Sequence, residues 1–151
     1  MTMQAVIFIG IPATGKSTFF RERFFDTHIR LNLDMLRTRH REQVLLKACI
    51  EGKQSFVVDN TNATVEYRKK YIQLAKPAGF EIVGYYFQSK LEDALERNRL
   101  RPEKARIPDS GVRGIYGSLV LPTYDEGFDK LYYVEPASPG GFLVKDWTDE
   151  V

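Results

Sequence analysis

Gly10, Gly15, Lys16 and Ser17 follow the spacing G-x-x-x-x-G-K-[S/T], which can bind the phosphates of a nucleotide. The two glycines allow backbone angles and close approaches that a Cβ would block. Successive N–H groups of such a loop face a phosphate at the positive end of the helix that follows. Because an apolar run precedes the motif and a helical pattern follows it, we expect a site for ATP or GTP.

The side chains at the end of the glycine motif have expected roles in nucleotide binding. Lys16 is expected to place a positive charge beside the β- and γ-phosphates, and the Ser17 hydroxyl is expected to bind Mg²⁺. Ala13, Thr14 and Thr18 are candidate contacts to the nucleotide, together with the motif residues themselves.

Asp34 and Arg37 lie in "LNLDMLR", directly after an apolar run that indicates a short strand. Ligands gather at the carboxyl ends of strands in open α/β sheets. A carboxylate there can accept the proton of a hydroxyl, and a nearby guanidinium can bind an acceptor phosphate. Asp34 would serve equally well as a simple helix N-cap, and the position alone does not decide between these interpretations.

A second acidic residue, Asp59, ends the buried run "QSFVVD" and is a candidate magnesium-linked carboxylate. Asn60, Thr61 and Asn62 follow it and are typical of a turn into the next helix. Asn62 is in addition a candidate contact to the acceptor.

Residues 97–113 are strongly basic, and within them Arg97 and Arg101 are spaced to share one helix face. Arginine is suited to stabilise the charge that develops on a transferring phosphoryl group. The segment is therefore a candidate lid over the nucleotide, with both arginines as contacts. The alternative is a solvated basic helix end, stabilised by the helix dipole.

Apolar runs alternate with helical patterns along the chain, which indicates βαβ units and a mostly parallel sheet. A capping box of Ser89 and Glu92 is expected to open one of the helices. The predicted strands are 4–10, 28–33, 54–59, 81–88 and 130–135. The predicted helices begin in the glycine loop, at 34 (bent or broken near its start), at 64, near 90 and after 108.

The predicted fold is thus an α/β sheet of about five strands with helices on both faces and a basic lid. We expect a domain over residues 1–136 and an acidic tail over 137–151, held to the domain by Phe142, Leu143 and Trp147 or trailing from it. Cys49 is the one cysteine, so no internal disulfide can form, and we expect a reducing, cytoplasmic location. No apolar run is long enough to suggest a membrane span, and no required protein partner is evident.

The net charge of +2 conceals an uneven distribution. Only two of the 22 Lys and Arg residues, but seven of the 20 Asp and Glu residues, lie in residues 125–151. The remaining chain is basic, which suits an anionic ligand such as a nucleotide or polynucleotide, although an ordinary solvated surface has the same composition.

Five stretches together resemble the 5′-kinase module of the polynucleotide 5′-hydroxyl kinase family, which includes phage polynucleotide kinase and the polynucleotide kinase/phosphatases. They are "GIPATGKST", "LNLDMLR", "VVDNTN", "RNRLR" and "LPTYDEGFDKL". The resemblance covers residues 4 to about 135 and implies an adenylate-kinase-like P-loop fold that uses ATP and Mg²⁺ in nucleic acid repair. Leu33 departs from the family, which often has arginine in that position.

The resemblance also implies roles for individual residues. Asp34 would be the general base on the 5′-hydroxyl, and Arg37 would contact the phosphate of the acceptor. Arg101, with Arg97 or Arg99, would contact the donor phosphates from the lid. The expected reaction is transfer of the γ-phosphate of ATP to the 5′-hydroxyl of an RNA or DNA end.

Two other functions stay open at this point. One is a P-loop kinase that phosphorylates a nucleoside, a sugar or another small metabolite. The other is a nucleotide-binding module without turnover. A basic groove with room for more than one nucleotide would favour the polynucleotide kinase, and transfer assays would exclude the non-catalytic module.

Overall fold

A computed structural model describes residues 2–148, which form six strands and six α-helices. The strands are β1 (Gln4–Ile9), β2 (Ile29–Leu31), β3 (Phe56–Val58), β4 (Glu81–Phe87), β5 (Lys130–Pro136) and β6 (Phe142–Asp146). The helices are α1 (Lys16–Arg23), α2 (Leu33–Leu36), α3 (Arg39–Glu51), α4 (Val65–Ala75), α5 (Leu91–Arg99) and α6 (Asp109–Ser118). Short 3₁₀ turns lie at Glu103–Ala105 and Tyr124–Glu126.

All six strands belong to one sheet, in the order β2-β3-β1-β4-β5-β6. The first five strands pair in parallel, and β6 pairs with β5 in the antiparallel direction. The prediction of a mostly parallel α/β sheet is confirmed. The expected count of about five strands misses β6, because the Pro- and Gly-rich run before it suggested an irregular tail.

Side-chain alternation along β1 explains why both faces of the sheet are covered. Ala5, Ile7 and Ile9 face the core packed under α3 and α4, whereas Val6 and Phe8 face the core packed under α1. Successive residues of a strand point to opposite faces of the sheet. A strand that is apolar at every residue is therefore buried only when helices cover both faces of the sheet. The buried run predicted at residues 4–10 is thus the centre of the domain.

The helices after β1 and β3 leave the sheet on opposite faces. Phe19 and Phe20 of α1 pack on one face, and Tyr71 and Ile72 of α4 pack on the other. The chain therefore diverges after two adjacent strands, and a crevice opens between their carboxyl ends. This crevice holds the candidate site.

The expected break near residue 34 is confirmed at Arg37, where φ is 76° and α2 ends before α3 begins. The expected capping box of Ser89 and Glu92 is wrong: α5 has no side-chain cap. The Ser89 hydroxyl instead donates to the Phe87 carbonyl and accepts from the Ile11 N–H. The Ser89 hydroxyl therefore serves as the acceptor for an N–H group of the glycine loop and does not cap α5.

The tail is attached in part. Phe142 packs against α1 and Trp147 is buried, but Leu143 is exposed and does not help to anchor the segment. Residues 149–151, which end the predicted acidic tail, lie outside the described residues, and the domain boundary at 136 stays a prediction. No helix within residues 2–148 has the length and apolar character needed to cross a bilayer.

Gly84 of β4 gives a test of this packing. A Cβ built there would lie 2.6 Å from Cδ1 of Leu131 and 2.7 Å from Cε1 of Phe128, both buried. We expect Gly84→Ala to lower the free energy of unfolding by about 1–3 kcal/mol through overpacking. Gly114→Ala, in open space on α6, should raise it by up to about 1 kcal/mol. Urea unfolding measures both, and equal stability of the two variants would contradict the packing.

Candidate active site

The glycine loop runs from the end of β1 to the start of α1 and needs its two glycines for different reasons. At Gly10 a Cβ would lie 3.1 Å from Cβ of Phe87 and 3.2 Å from the Thr14 hydroxyl, so the constraint is close approach. Gly15 has φ of +94°, which favours glycine, and a Cβ there would lie 2.8 Å from the Phe142 ring. The ring that blocks a side chain at Gly15 belongs to β6.

A cavity of about 320 Å³ opens beside this loop at the carboxyl ends of β1 and β3. It brings together nine of the predicted site residues from four separate stretches of sequence. They are Ala13, Thr14, Gly15, Lys16, Ser17, Thr18, Asp34, Asp59 and Arg101. The roles assigned to them stay predictions, but their shared location is the geometry that a phosphate-transfer site requires.

Lys16 is folded back onto its own loop. Its Nζ donates to the carbonyls of Gly10 (2.9 Å) and Ile11 (2.7 Å). Burial lowers the pKa of Lys16 to about 8, with Asp59 opposing and nearby Arg101 adding to that shift. Anionic phosphates that bind beside Lys16 favour its protonated form, so binding should raise the pKa of this lysine.

The Ser17 hydroxyl and the Asp59 carboxylate are in direct contact. Ser17 Oγ donates to Asp59 Oδ2 at 3.0 Å. These oxygens are donors of the kind that Mg²⁺ prefers, and that ion commonly keeps several waters and phosphate oxygens as its other ligands. Ser17 and Asp59 therefore fit the predicted metal position and are the residues that would hold the ion.

Arg30 is a site residue that the sequence did not reveal. Its Nε donates to Asp59 Oδ2 and its Nη2 donates to Ser17 Oγ, both at 2.9 Å. The guanidinium thus neutralises the buried Asp59 and bridges β2 to the glycine loop. No motif marks it, because Arg30 lies in a short edge strand and its partners are 13 and 29 residues away in sequence.

Asp34 is not the cap of α2. The N-cap is Asn32, whose Oδ1 accepts from the Met35 N–H at 2.9 Å, while its Nδ2 donates to the Asp59 carbonyl at 2.6 Å. The capping interpretation of Asp34 is therefore wrong. Asp34 is instead the second residue of α2. Its side chain is exposed and lines the cavity, so the carboxylate is available to an acceptor.

A chain of hydrogen bonds fixes α2 from behind. The Leu33 N–H donates to Asn60 Oδ1, and Asn60 Nδ2 donates to buried Glu42. Burial alone would raise the pKa of Glu42, but hydrogen bonds from Lys70, Tyr71 and Asn60 hold it below its usual value. Glu42 and Asn60 are thus positioning residues for the Asp34 segment.

Asn62 does not reach the cavity. It is buried with φ of 44°, and its Nδ2 donates to the Phe8 carbonyl at 2.7 Å. The candidate acceptor contact at Asn62 is replaced by a structural role at the end of β1. Buried Arg68 holds the same turn, because its guanidinium donates to the Asn62 carbonyl and pairs bidentately with Glu126.

The lid arginines differ in their placement. Arg101 lines the cavity, whereas Arg97 donates a 3.4 Å hydrogen bond to the Ala13 carbonyl and supports the loop from outside. Buried Asn98 lies between them and exchanges two hydrogen bonds with the backbone of Ile107, which also lines the cavity. The basic segment is therefore folded back over the site and held there.

Arg37 is exposed at the end of α2 and does not line the cavity. Its positive φ turns the chain sharply between α2 and α3, three residues after Asp34. A non-glycine residue held in this conformation is strained and tends to mark a functional position.

Comparison with known proteins assigns the chain to a family. The AAA_33 family, described as AAA domain, matches residues 36–114, which is just over half of the chain. The chain belongs to this family and is a P-loop kinase domain of the AAA_33 type.

Two curated relatives and one solved structure show the range of similar proteins. A bifunctional polynucleotide phosphatase/kinase of Schizosaccharomyces pombe is 31% identical over 132 residues, covering 83% of this chain and 32% of its own length. An L-seryl-tRNA(Sec) kinase of Methanococcus maripaludis is 28% identical over 136 residues, covering 78% and 52%. A gluconokinase from Sinorhizobium meliloti 1021 superposes with a TM-score of 0.62 at 19% identity, over 90% of this chain and 84% of that one.

These similarities carry different weight. The chain spans about a third of the length of the first curated relative and about half of the length of the second. At 19% identity, the likeness to the gluconokinase shows the fold alone. The family and the P-loop kinase class are established, and the acceptor is the question that the site itself must address.

The lowered pKa of Lys16 predicts proton uptake when MgATP binds. At pH 8 part of the free protein carries neutral Lys16, and the bound phosphates favour the charged form. Calorimetric binding enthalpies at pH 8 should therefore vary with the ionisation enthalpy of the buffer. Lys16→Arg should lose most of this dependence because a guanidinium stays protonated. Equal uptake in both proteins would assign the proton to another group.

Proposed function

We propose that the chain transfers the γ-phosphate of ATP to the 5′-hydroxyl of an RNA or DNA end. The observation that carries this proposal is the shared cavity, in which the Asp34 carboxylate faces the same space as the phosphate loop and Arg101. A hydroxyl that enters beside Asp34 meets a base for its proton and lies next to the donor phosphates.

Each group has a defined part in the proposed reaction. Lys16 and the loop N–H groups bind the β- and γ-phosphates, and Arg101 meets the charge that spreads over the transferring group. Mg²⁺ held by Ser17 and Asp59 would neutralise charge on the phosphate oxygens. Asp34 orients the hydroxyl and accepts its proton as the new bond to phosphorus forms and the bond to the leaving ADP breaks.

A polynucleotide acceptor is supported by Arg37 and by similarity. Arg37 ends the short helix that carries Asp34 and is exposed to solvent, so its guanidinium is available to the phosphate that follows the 5′-terminal nucleoside. The relative that is 31% identical is named a bifunctional polynucleotide phosphatase/kinase, and a second relative is named an L-seryl-tRNA(Sec) kinase. Both names give a substrate that contains a nucleic acid, and the first alone gives a polynucleotide as the acceptor.

A small-molecule kinase is the second candidate. The cavity of about 320 Å³ is modest, and Leu33 stands where the polynucleotide kinases often have an arginine. The fold is also that of a gluconokinase. The Asp34 carboxylate on the cavity wall argues for turnover rather than for a module that only binds nucleotide.

The acceptor class can be tested with γ-labelled ATP and a panel of hydroxyl compounds. The panel contains matched RNA and DNA oligonucleotides with 5′-OH or 5′-phosphate ends, nucleosides, and sugars including gluconate. We expect strong label on the 5′-OH oligonucleotides, weak label on the nucleosides, none on the sugars or the 5′-phosphate ends, and none on any acceptor with Lys16→Ala. Transfer to a sugar or nucleoside with no transfer to oligonucleotides would replace the proposal by the second candidate.

The general base is tested by Asp34→Asn. Transfer should fall by about 10²- to 10⁴-fold, because the amide cannot accept the proton, while the affinity for ATP and the melting temperature stay near their original values. Asn32→Ala is the matched control, and it should lower stability by about 1 kcal/mol through loss of the true helix cap. An Asp34→Asn protein with full activity would refute the base.

The phosphate contact is tested by Arg37→Gly, since glycine tolerates the positive φ at this position. The variant should keep its stability but lose about tenfold or more in kcat/KM on a 5′-OH dinucleotide, as expected for loss of a charged hydrogen bond. A nucleoside, which has no phosphate to bind, should lose much less. Equal losses on the two acceptors would exclude Arg37 as a phosphate contact.

A further inference from the structure

A second cleft lies beside the cavity, on the edge of the sheet formed by β2. Its volume is about 540 Å³, larger than that of the cavity itself. Its walls come from α1, the segment after it, β2 and α2. They include Phe20, Arg21, Phe25, Ile29, Arg30 and Met35.

The cleft and the cavity are adjacent. Ser17 lines both of them, and Met35 of the cleft directly follows Asp34 of the cavity. Arg30 forms the partition, because it donates to Ser17 and to Asp59 on the cavity side while it lines the cleft. A chain whose first hydroxyl lies at Asp34 can therefore continue into the cleft.

The surface of the cleft is apolar and exposed, which is unusual for side chains of this type. Phe25 is 69% exposed, Met35 52% and Ile29 43%, and all three line the same cleft. Exposed apolar side chains that cluster in a concave surface mark a binding site more often than isolated ones do. A flat aromatic ring and a thioether are suitable surfaces for a planar ligand.

Positive charge accompanies the apolar surface. Arg30 lies over the Phe20 ring, with 5.8 Å between its guanidinium carbon and the ring centroid. Arg21 is exposed, and a 3.4 Å hydrogen bond joins it to the Thr18 hydroxyl. His28 completes one wall, where its ring nitrogens are hydrogen-bonded to Thr27 and Gln4. Arginine interleaved with aromatic rings is typical of surfaces that bind single-stranded nucleic acid.

We infer that this cleft binds the nucleotides that follow the 5′-terminal nucleotide of a single-stranded acceptor. A base packs on Phe25 and Met35, and Arg21 pairs with a backbone phosphate. The inference rests on the proposed function and adds to it a reason for selecting a polynucleotide over a shorter acceptor. A small-molecule kinase would have no use for an apolar, basic extension of its acceptor site.

The test compares a 5′-OH hexanucleotide with a 5′-OH dinucleotide as acceptors for the full chain. The original protein should have the higher kcat/KM on the hexanucleotide. Phe25→Ala should reduce that preference by about tenfold, as expected for loss of one base-stacking contact. Tyr124→Ala, which removes a comparably exposed aromatic ring outside the cleft, should leave the preference unchanged.

A salt titration provides an independent readout for Arg21. On the hexanucleotide, Arg21→Gln should reduce the slope of log kcat/KM against log salt by about 0.7, the value for one phosphate contact on a single strand. Lys69→Gln, on the exposed surface of α4, should not change that slope. An unchanged slope in both variants would overturn the phosphate contact.

The outcomes separate the two levels of the proposal. Absence of transfer to any 5′-OH oligonucleotide refutes the proposed function itself. Transfer with equal kcat/KM on both lengths, or with an unchanged preference in Phe25→Ala, refutes the cleft alone. Sedimentation that shows a dimer disrupted by Phe25→Ala, with the length preference intact, would assign the cleft to a second copy of the chain instead.

Discussion

The contact between Asp59 and its neighbours is the interaction on which the site depends. One carboxylate oxygen accepts from both Ser17 and Arg30, and the carbonyl of the same residue accepts from Asn32. Through these bonds the end of β3 is joined to the glycine loop, to β2 and to α2. Because Asp59 is 2% exposed, its charge is tolerable only with such partners.

The cavity must hold positive charge and an available carboxylate close together. The donor side needs positive charge for phosphates, and the acceptor side needs a carboxylate that stays available to a hydroxyl. Lys16 and Arg101 line one part of the cavity, and Asp34 stands on the wall supplied by α2. These groups are far apart in sequence but adjacent in space, because the parallel strands β1, β2 and β3 end at the same edge of the sheet.

The fold and most of the cavity residues could be predicted from the sequence, because patterns of neighbouring residues determine them. Buried β-branched runs, the glycine spacing and the break before Thr38 all depend on residues close together in the chain. Arg30 was missed because its role depends on partners in two other segments, which no local pattern marks. The same reason explains the wrong cap at Ser89, whose hydroxyl serves the Ile11 N–H, 78 residues away.

The central claim is that Asp34 receives the hydroxyl that becomes phosphorylated. A crystal structure of the chain with Mg²⁺, a non-hydrolysable ATP analogue and a 5′-OH dinucleotide tests it most directly. The account predicts the 5′-oxygen within about 2.6–3.2 Å of an Asp34 carboxylate oxygen, in line with the γ-phosphate. A bound acceptor whose 5′-oxygen lies against another residue, with Asp34 facing solvent, would contradict the account.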